Sequence, residues 1–76
     1  SMRLYPNPVA DGVLNIAAEG VGTLSVYNNA GALVLSQPLD CSAGVAAANV
    51  ASLQAGIYYA RFVTANGASV QKFIVK

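Results

Sequence analysis

The sequence is 76 residues long, and 55% of it is hydrophobic while only 9% is charged. A chain of this length forms one domain near the lower limit of independent folding, and its apolar content excludes intrinsic disorder. Four Lys and Arg residues against three Asp and Glu residues are too few to hold a nucleic-acid backbone or an anionic membrane. No apolar run reaches the roughly 20 residues of a membrane helix. No secretory signal is recognisable, so we expect any such signal to lie upstream.

The residue types present also restrict the chemistry. The chain has no histidine and one cysteine, and its acids, Asp11, Glu19 and Asp40, are far apart in sequence. His-based triads, His-ligated metals and most general-base schemes are therefore excluded. We expect no enzymatic activity, no cofactor and no metal. Cys41 cannot close an internal disulfide and is interpreted as an incidental free thiol, with intermolecular pairing as the alternative.

The first distinctive segment, "LYPNPVADG", places two prolines around Asn7. Because proline cannot donate to a sheet ladder, Pro6 and Pro8 are predicted to lie at a sheet edge or in an extended arm. The segment can protect an edge against association or dock a partner, and its composition leaves both roles open. It lacks the spacing of PxxP ligands. Ser1 and Met2 before it are interpreted as a cloning remnant, and residues 3–76 as one domain.

Short segments with strand character follow, separated by turns rich in Gly, Asn and Asp. They cover residues 13–17, 23–27, 33–37, 45–50, 57–64 and 69–75. Apolar and polar residues alternate in most of them, which predicts half-buried strands. The run Leu33-Val34-Leu35 is apolar throughout, so its strand is expected to be central and covered on both sides or to lie against a partner. The alanine-rich residues 44–53 are interpreted as a strand followed by a tight turn.

Two further patterns predict how the strands connect. "LQAGIY" has the spacing of a tyrosine corner, in which the Tyr58 hydroxyl bonds to backbone a few residues upstream and Gly56 supplies a glycine-compatible bend. Asn66-Gly67 predicts a hairpin with both residues at positive φ in a primed turn, so that the last two strands pair antiparallel. The whole pattern predicts an all-β fold, an immunoglobulin-like antiparallel β-sandwich of about seven short strands.

The chain ends in "VQKFIVK". Phe73 and Val75 have the opposite parity to Lys72 and Lys76, so we expect the apolar pair in the core and the lysines in solvent. As structure, the segment is the last strand of the sandwich. As a signal, an edge strand offers a receptor an unpaired backbone row, side chains at fixed spacing and a free carboxylate. Both interpretations stay open at this point.

Four segments in order, "LYPNPVADGVLNI", "LSVYNNAGALV", "LQAGIYYARFVTANG" and "VQKFIVK", resemble the successive motifs of the C-terminal sorting domains of the type IX (Por) secretion system, which are found on cargo proteins of the Bacteroidota. The resemblance spans residues 4–76. It implies a small immunoglobulin-like sandwich and a non-enzymatic address label. The residues that it assigns to translocon recognition are Pro6, Pro8, Gly56, Tyr58, Lys72, Phe73, Ile74, Val75 and Lys76.

The resemblance also implies a route and partners. Cargo carrying such a domain is exported by an upstream signal peptide, folds in the periplasm and passes through the outer-membrane translocon to the cell surface or the medium. A sortase of the system cuts just before the domain, here upstream of Leu4, and can join the cargo to a lipopolysaccharide anchor. Whether the translocon reads the folded domain or a released terminal strand is left open.

The alternative function is a cell-surface adhesion or carbohydrate-binding module. Such a module is expected to carry a flat stripe of exposed aromatic side chains or clustered acids for calcium, whereas this chain has four Tyr, two Phe and no Trp. Exposed strand edges with few charges to guard them also predict a weak homodimer formed through an edge strand.

Overall fold

The computed structural model describes residues 2–76, which form two antiparallel sheets packed face to face. The first sheet has the strand order β1-β2-β5 and the second the order β4-β3-β6-β7. No helix in these residues could span a membrane. The predicted all-β sandwich is therefore confirmed. Its strands are β1 (Arg3–Tyr5), β2 (Val13–Ala17), β3 (Val21–Asn28), β4 (Leu33–Asp40), β5 (Val45–Asn49), β6 (Gly56–Thr64) and β7 (Gly67–Val75).

The core lies between the sheets and is built from alternate residues of each strand. Leu14 and Ile16 of β2 face Leu24 and Val26 of β3, and all four side chains are fully buried. Because successive side chains of a strand point to opposite faces, the residues between them line the outer surfaces of the sandwich. Each sheet therefore has one face in the core and one in solvent.

The N-terminal residues belong to this core. Met2 is only 2% exposed and Val9 only 1%, and β1 pairs with β2 in the register Leu4 to Ile16. Ser1, which was interpreted together with Met2 as a cloning remnant, lies outside the described residues. Among the described residues, the core thus includes Met2, which precedes β1.

The position of β4 corrects one prediction. This strand pairs only with β3 and forms an edge of the second sheet, and Leu33 and Val34 are exposed. The expectation of a central strand covered on both sides is wrong, because an apolar run does not report which strands lie beside it. The alanine-rich segment does form a strand, β5, followed by a turn, as predicted.

The β6–β7 hairpin was predicted correctly, but its turn was not. The two strands pair antiparallel, and Thr64 opposite Gly67 closes a turn made of Ala65 and Asn66. Among residues 2–76 only glycines have positive φ, so Asn66 does not adopt the conformation of a primed turn. Instead the Asn66 N–H donates to Thr64 Oγ1 at 3.1 Å, and Gly67 alone takes a positive φ, of 133°.

Candidate recognition site

The segments that the sequence pointed to, far apart in the chain, meet at one end of the second sheet. The start of β6 lies against the end of β7, with Gly56 opposite Val75 and Tyr58 opposite Phe73. On its other side, β7 is bordered by residues 6–9, which we call the arm. The end of β7 is therefore held between β6 and the arm.

Backbone hydrogen bonds join the arm to β7. Val9 pairs with Val75 in parallel. The Val9 N–H donates to the Ile74 carbonyl at 2.7 Å, and the Lys76 N–H donates to the Val9 carbonyl at 2.8 Å. The predicted position of Pro6 and Pro8 at a sheet edge is confirmed, whereas the alternative of an extended arm is not, because residues 6–8 form bends and only Val9 bridges to β7. The expectation that the terminal strand offers an unpaired backbone row is wrong for residues 74–76, because the arm occupies that edge.

The Asn7 side chain completes this closure, and sequence reasoning missed it. Its Oδ1 accepts the Ile74 N–H at 2.9 Å, and its Nδ2 donates to the Lys72 carbonyl at 3.4 Å. A side-chain amide supplies one acceptor and two donors, so it can stand in for the backbone N–H groups that the flanking prolines lack. An asparagine between two prolines beside a sheet edge was the signal that could have indicated this role.

The tyrosine corner is present. The Tyr58 hydroxyl donates to the Gln54 carbonyl at 2.7 Å, and the Tyr58 ring stacks on Phe73 with centroids 5.7 Å apart. Gly56 differs from expectation. Its φ is not among the positive values, and a Cβ there would meet nothing nearer than 3.8 Å, an ordinary contact with the Tyr58 ring. The corner therefore does not require glycine at this position.

Alternation along the end of β7 sorts the remaining residues as predicted. Phe73 and Val75 are buried in the core, whereas Lys72, Ile74 and Lys76 are exposed. No group of three or more His, Cys, Asp or Glu side chains in residues 2–76 is arranged to hold a metal ion. The site offers exposed proline rings, one amide, one isoleucine and two ammonium groups, which are suited to binding a protein surface.

Comparison with protein families decides what this arrangement belongs to. Residues 3–76 match the family model described as the secretion system C-terminal sorting domain. The chain belongs to this family. A comparison with curated proteins gives no match. The sorting domain is the C-terminal signal of type IX secretion cargo, and the adhesion alternative is not supported.

Membership defines the general role of the sorting domain. Its family is a signal rather than a catalytic family. It acts with the type IX secretion machinery and with an upstream cargo, and it implies secretion through the outer membrane to the cell surface or the extracellular space. In the sorting domain, Gly56 is half-buried, and the other residues that resemble the family motifs fall into two groups. Tyr58, Phe73 and Val75 face the core, and Pro6, Pro8, Lys72, Ile74 and Lys76 face solvent.

Proposed function

We propose that the type IX translocon reads the sorting domain in its folded form, through the surface made by the arm and the outward side chains of β7. We call this the arm–strand surface. It comprises Pro6, Asn7, Pro8, Lys72, Ile74 and Lys76, all of which are exposed. The observation that carries the proposal is the closure of the β7 edge by the arm, which leaves residues 74–76 no free backbone for strand addition.

Release of the terminal strand is disfavoured by its place in the core. Freeing residues 72–76 would break their bonds to β6 and to the arm, and it would withdraw Phe73, which is fully buried. Loss of one buried phenylalanine side chain costs about 3–5 kcal/mol. The free energy of unfolding of native proteins is about 5–15 kcal/mol, and that of a small domain lies near the lower end of this range. Release of the strand is therefore close to unfolding the domain.

This proposal divides the roles of the motif residues. Tyr58, Phe73 and Val75 act indirectly by fixing the end of β7, and the exposed residues of the arm–strand surface make the contacts. Lys72 and Lys76 give that surface positive charge, which steers a partner and sets its orientation more than it adds affinity. The partner is then expected to present acidic groups where the two lysines meet it.

Charge reversal tests whether the translocon contacts Lys72 and Lys76. The chain is fused to a reporter in a secreting host, and Lys72→Glu with Lys76→Glu is compared with Arg3→Glu, an exposed charge reversal on the first sheet. Each exposed change is expected to alter stability by at most about 0.5 kcal/mol. The double variant should stay folded while its reporter accumulates in the periplasm, and the Arg3 variant should be displayed. Full display of the double variant would show that the lysines are not read.

A second variant separates reading of the folded domain from release of the strand. Asn7→Ala removes both side-chain bonds between the arm and β7 but leaves β7 itself unchanged. If the folded surface is read, reporter secretion should fall. If the strand must be released, a weaker hold by the arm should leave secretion unchanged or increase it, and that outcome would refute reading of the folded form.

The proposal extends to processing of the cargo. We expect the domain to pass folded through the periplasm and the sortase to cut upstream of Leu4, before the lipopolysaccharide anchor is attached. Burial of Met2 and pairing of β1 with β2 support a cut outside the sandwich, since a cut after β1 would strip a strand from the first sheet. Mass spectrometry of the released fragment should find β1 still attached. A fragment that begins after Tyr5 would contradict this.

We also propose that the domain forms a weak homodimer through β4. The first half of that strand is a free edge with Leu33 and Val34 exposed, whereas Pro38 in the second half cannot donate to a new ladder. Light scattering at millimolar concentration should detect association, and Val34→Lys should abolish it. Monomer alone at that concentration would exclude the dimer.

A further inference from the structure

The charges of the domain are distributed unevenly between its surfaces. On the solvent side of the second sheet, which we call the outer face, strand register aligns side chains in rows across the strands. One row contains Leu33, Tyr27, Tyr59 and Lys72, the next contains Ser36, Ser25, Arg61 and Val70, and Ile57 lies opposite Ile74 at the end of β7. Arg61 and Lys72 are the only charged side chains in these rows.

The acids lie away from these two cations. Asp11 and Glu19 are in the loops before β2 and β3. Asp40 is at the far corner of the outer face, opposite Val21, where the Ser42 hydroxyl and N–H bond its carboxylate and lower its pKa. Arg61 and Lys72 thus have no acidic neighbour in their rows. Positive charge on this face is left for a partner to neutralise.

The same rows expose apolar side chains. Leu33 and Val70 are each 56% exposed, and Ile57, Tyr59 and Ile74 also reach solvent. Tyrosine and arginine are among the residues that contribute most to binding at protein interfaces. A sheet face that presents them between aliphatic side chains, beside the arm–strand surface, resembles the central part of such an interface.

We infer that the outer face is a second contact surface for the type IX machinery, centred on Tyr59, Arg61 and Val70, and that it docks on an acidic protein surface with an apolar centre. This inference rests on the proposed function, because it assigns the same partner a larger footprint. The arm–strand surface and the outer face share Lys72 and Ile74, so one partner can cover both.

The charge of the outer face also argues against two other partners, a second copy of the chain and an anionic membrane. A second copy docked face to face would bring Arg61 and Lys72 of one molecule against the same cations of the other, and like charges in contact oppose association. An anionic membrane attracts polybasic clusters, typically of 4–8 Lys or Arg residues, and the outer face has two cations. An acidic protein surface fits the observed charge better than either.

Matched variants of the reporter fusion test the inference. Arg61→Glu is compared with Arg3→Glu, and Val70→Thr with Val45→Thr, since Val45 is an exposed valine on the first sheet. We expect Arg61→Glu to reduce secretion by about tenfold or more and Val70→Thr by a smaller factor. Arg61→Lys should restore most secretion, and both first-sheet variants should match the parent. Thermal midpoints of the purified variants should show that each is folded.

The outcomes separate this inference from the proposed function. If Arg61→Glu and Arg3→Glu secrete equally while the Lys72 and Lys76 variant fails, the outer face is not a contact surface and the arm–strand proposal stands. If all three secrete normally, both ideas fail. Purified chain is also tested against vesicles containing phosphatidylglycerol. Vesicle binding that Arg61→Glu abolishes would identify a membrane surface as the occupant and overturn the protein partner.

Discussion

Asn7 and Ile74, which are 67 positions apart in the sequence, are joined by a 2.9 Å hydrogen bond from the Ile74 N–H to Asn7 Oδ1. With the bonds of Val9, this contact makes the edge of the last strand a paired edge. The terminal motif and the proline motif are therefore one structural unit, and a change in one alters the other.

Asn7→Ala is accordingly expected to lower the free energy of unfolding by about 1 kcal/mol, the net value of a typical protein hydrogen bond. Amide hydrogen exchange gives the more specific measurement, since the Ile74 amide should lose protection. Asn15→Ala is the control, because Asn15 donates to the Tyr5 carbonyl at 3.2 Å and does not touch β7. An Ile74 amide that exchanges at the same rate in both variants would contradict the closure by Asn7.

Tyr58→Phe should cost about 1 kcal/mol through loss of the hydroxyl bond to Gln54, because the stacked ring is retained. Tyr59→Phe is a suitable control, since Tyr59 is the next residue and points to solvent. Urea unfolding of the two variants measures the difference. Equal urea midpoints for the two variants would mean that the Tyr58 hydroxyl bond does not contribute to stability.

Phe73→Ala should cost about 3–5 kcal/mol, because it leaves a cavity in the core beneath the Tyr58 ring. For a domain of this size, that loss should leave a large unfolded population, visible by circular dichroism at room temperature. Ile74→Ala, at the exposed neighbouring position, should cost far less. Comparable losses from the two would mean that the strand does not present Phe73 to the core.

Stability should fall in alkali because of Cys41. Burial of this thiol, with a smaller contribution from the Asp40 carboxylate, raises its pKa. In the unfolded chain the Cys41 thiol ionises at about pH 8.5, whereas in the folded chain it stays protonated. The free energy of unfolding therefore falls above that pH by at most about 1.4 kcal/mol per pH unit. Below about pH 8 the thiol is protonated in both states, so it does not make the free energy of unfolding depend on pH. Urea unfolding from pH 7 to 9.5 checks this, and Cys41→Ala should show a shallower decline.

Local patterns in the sequence predicted what depends on neighbouring residues. Alternation placed Phe73 and Val75 in the core and Lys72 in solvent, and the spacing of "LQAGIY" predicted the Tyr58 bond. These features follow from strand geometry and from a contact four positions away, which a single stretch of sequence contains.

Features that depend on contacts between residues distant in sequence were either missed or predicted wrongly. β1 has three residues and is a strand only because β2 lies beside it, and the arm is ordered by a partner at the other end of the chain. The edge position of β4 reflects which strands neighbour it, which Leu33 and Val34 do not specify. The rows of the outer face were missed for the same reason, because Tyr27 and Ser25 of β3 join Tyr59 and Arg61 only through the pairing of β3 with β6, which the sequence did not predict.

The parallel alignment of the arm with β7 also determines how the domain bears mechanical load. A force that pulls residue 2 away from residue 76 draws Val9 and its parallel partner Val75 in opposite directions along the strand. The bonds at Ile74 and Lys76 then lie across the direction of sliding and are loaded together rather than one after another. A sorting domain gripped at its C-terminus while cargo pulls on its N-terminal side is loaded in this shear direction, so its resistance to rupture is set by the β1–β2 pairs together with the joint between the arm and β7.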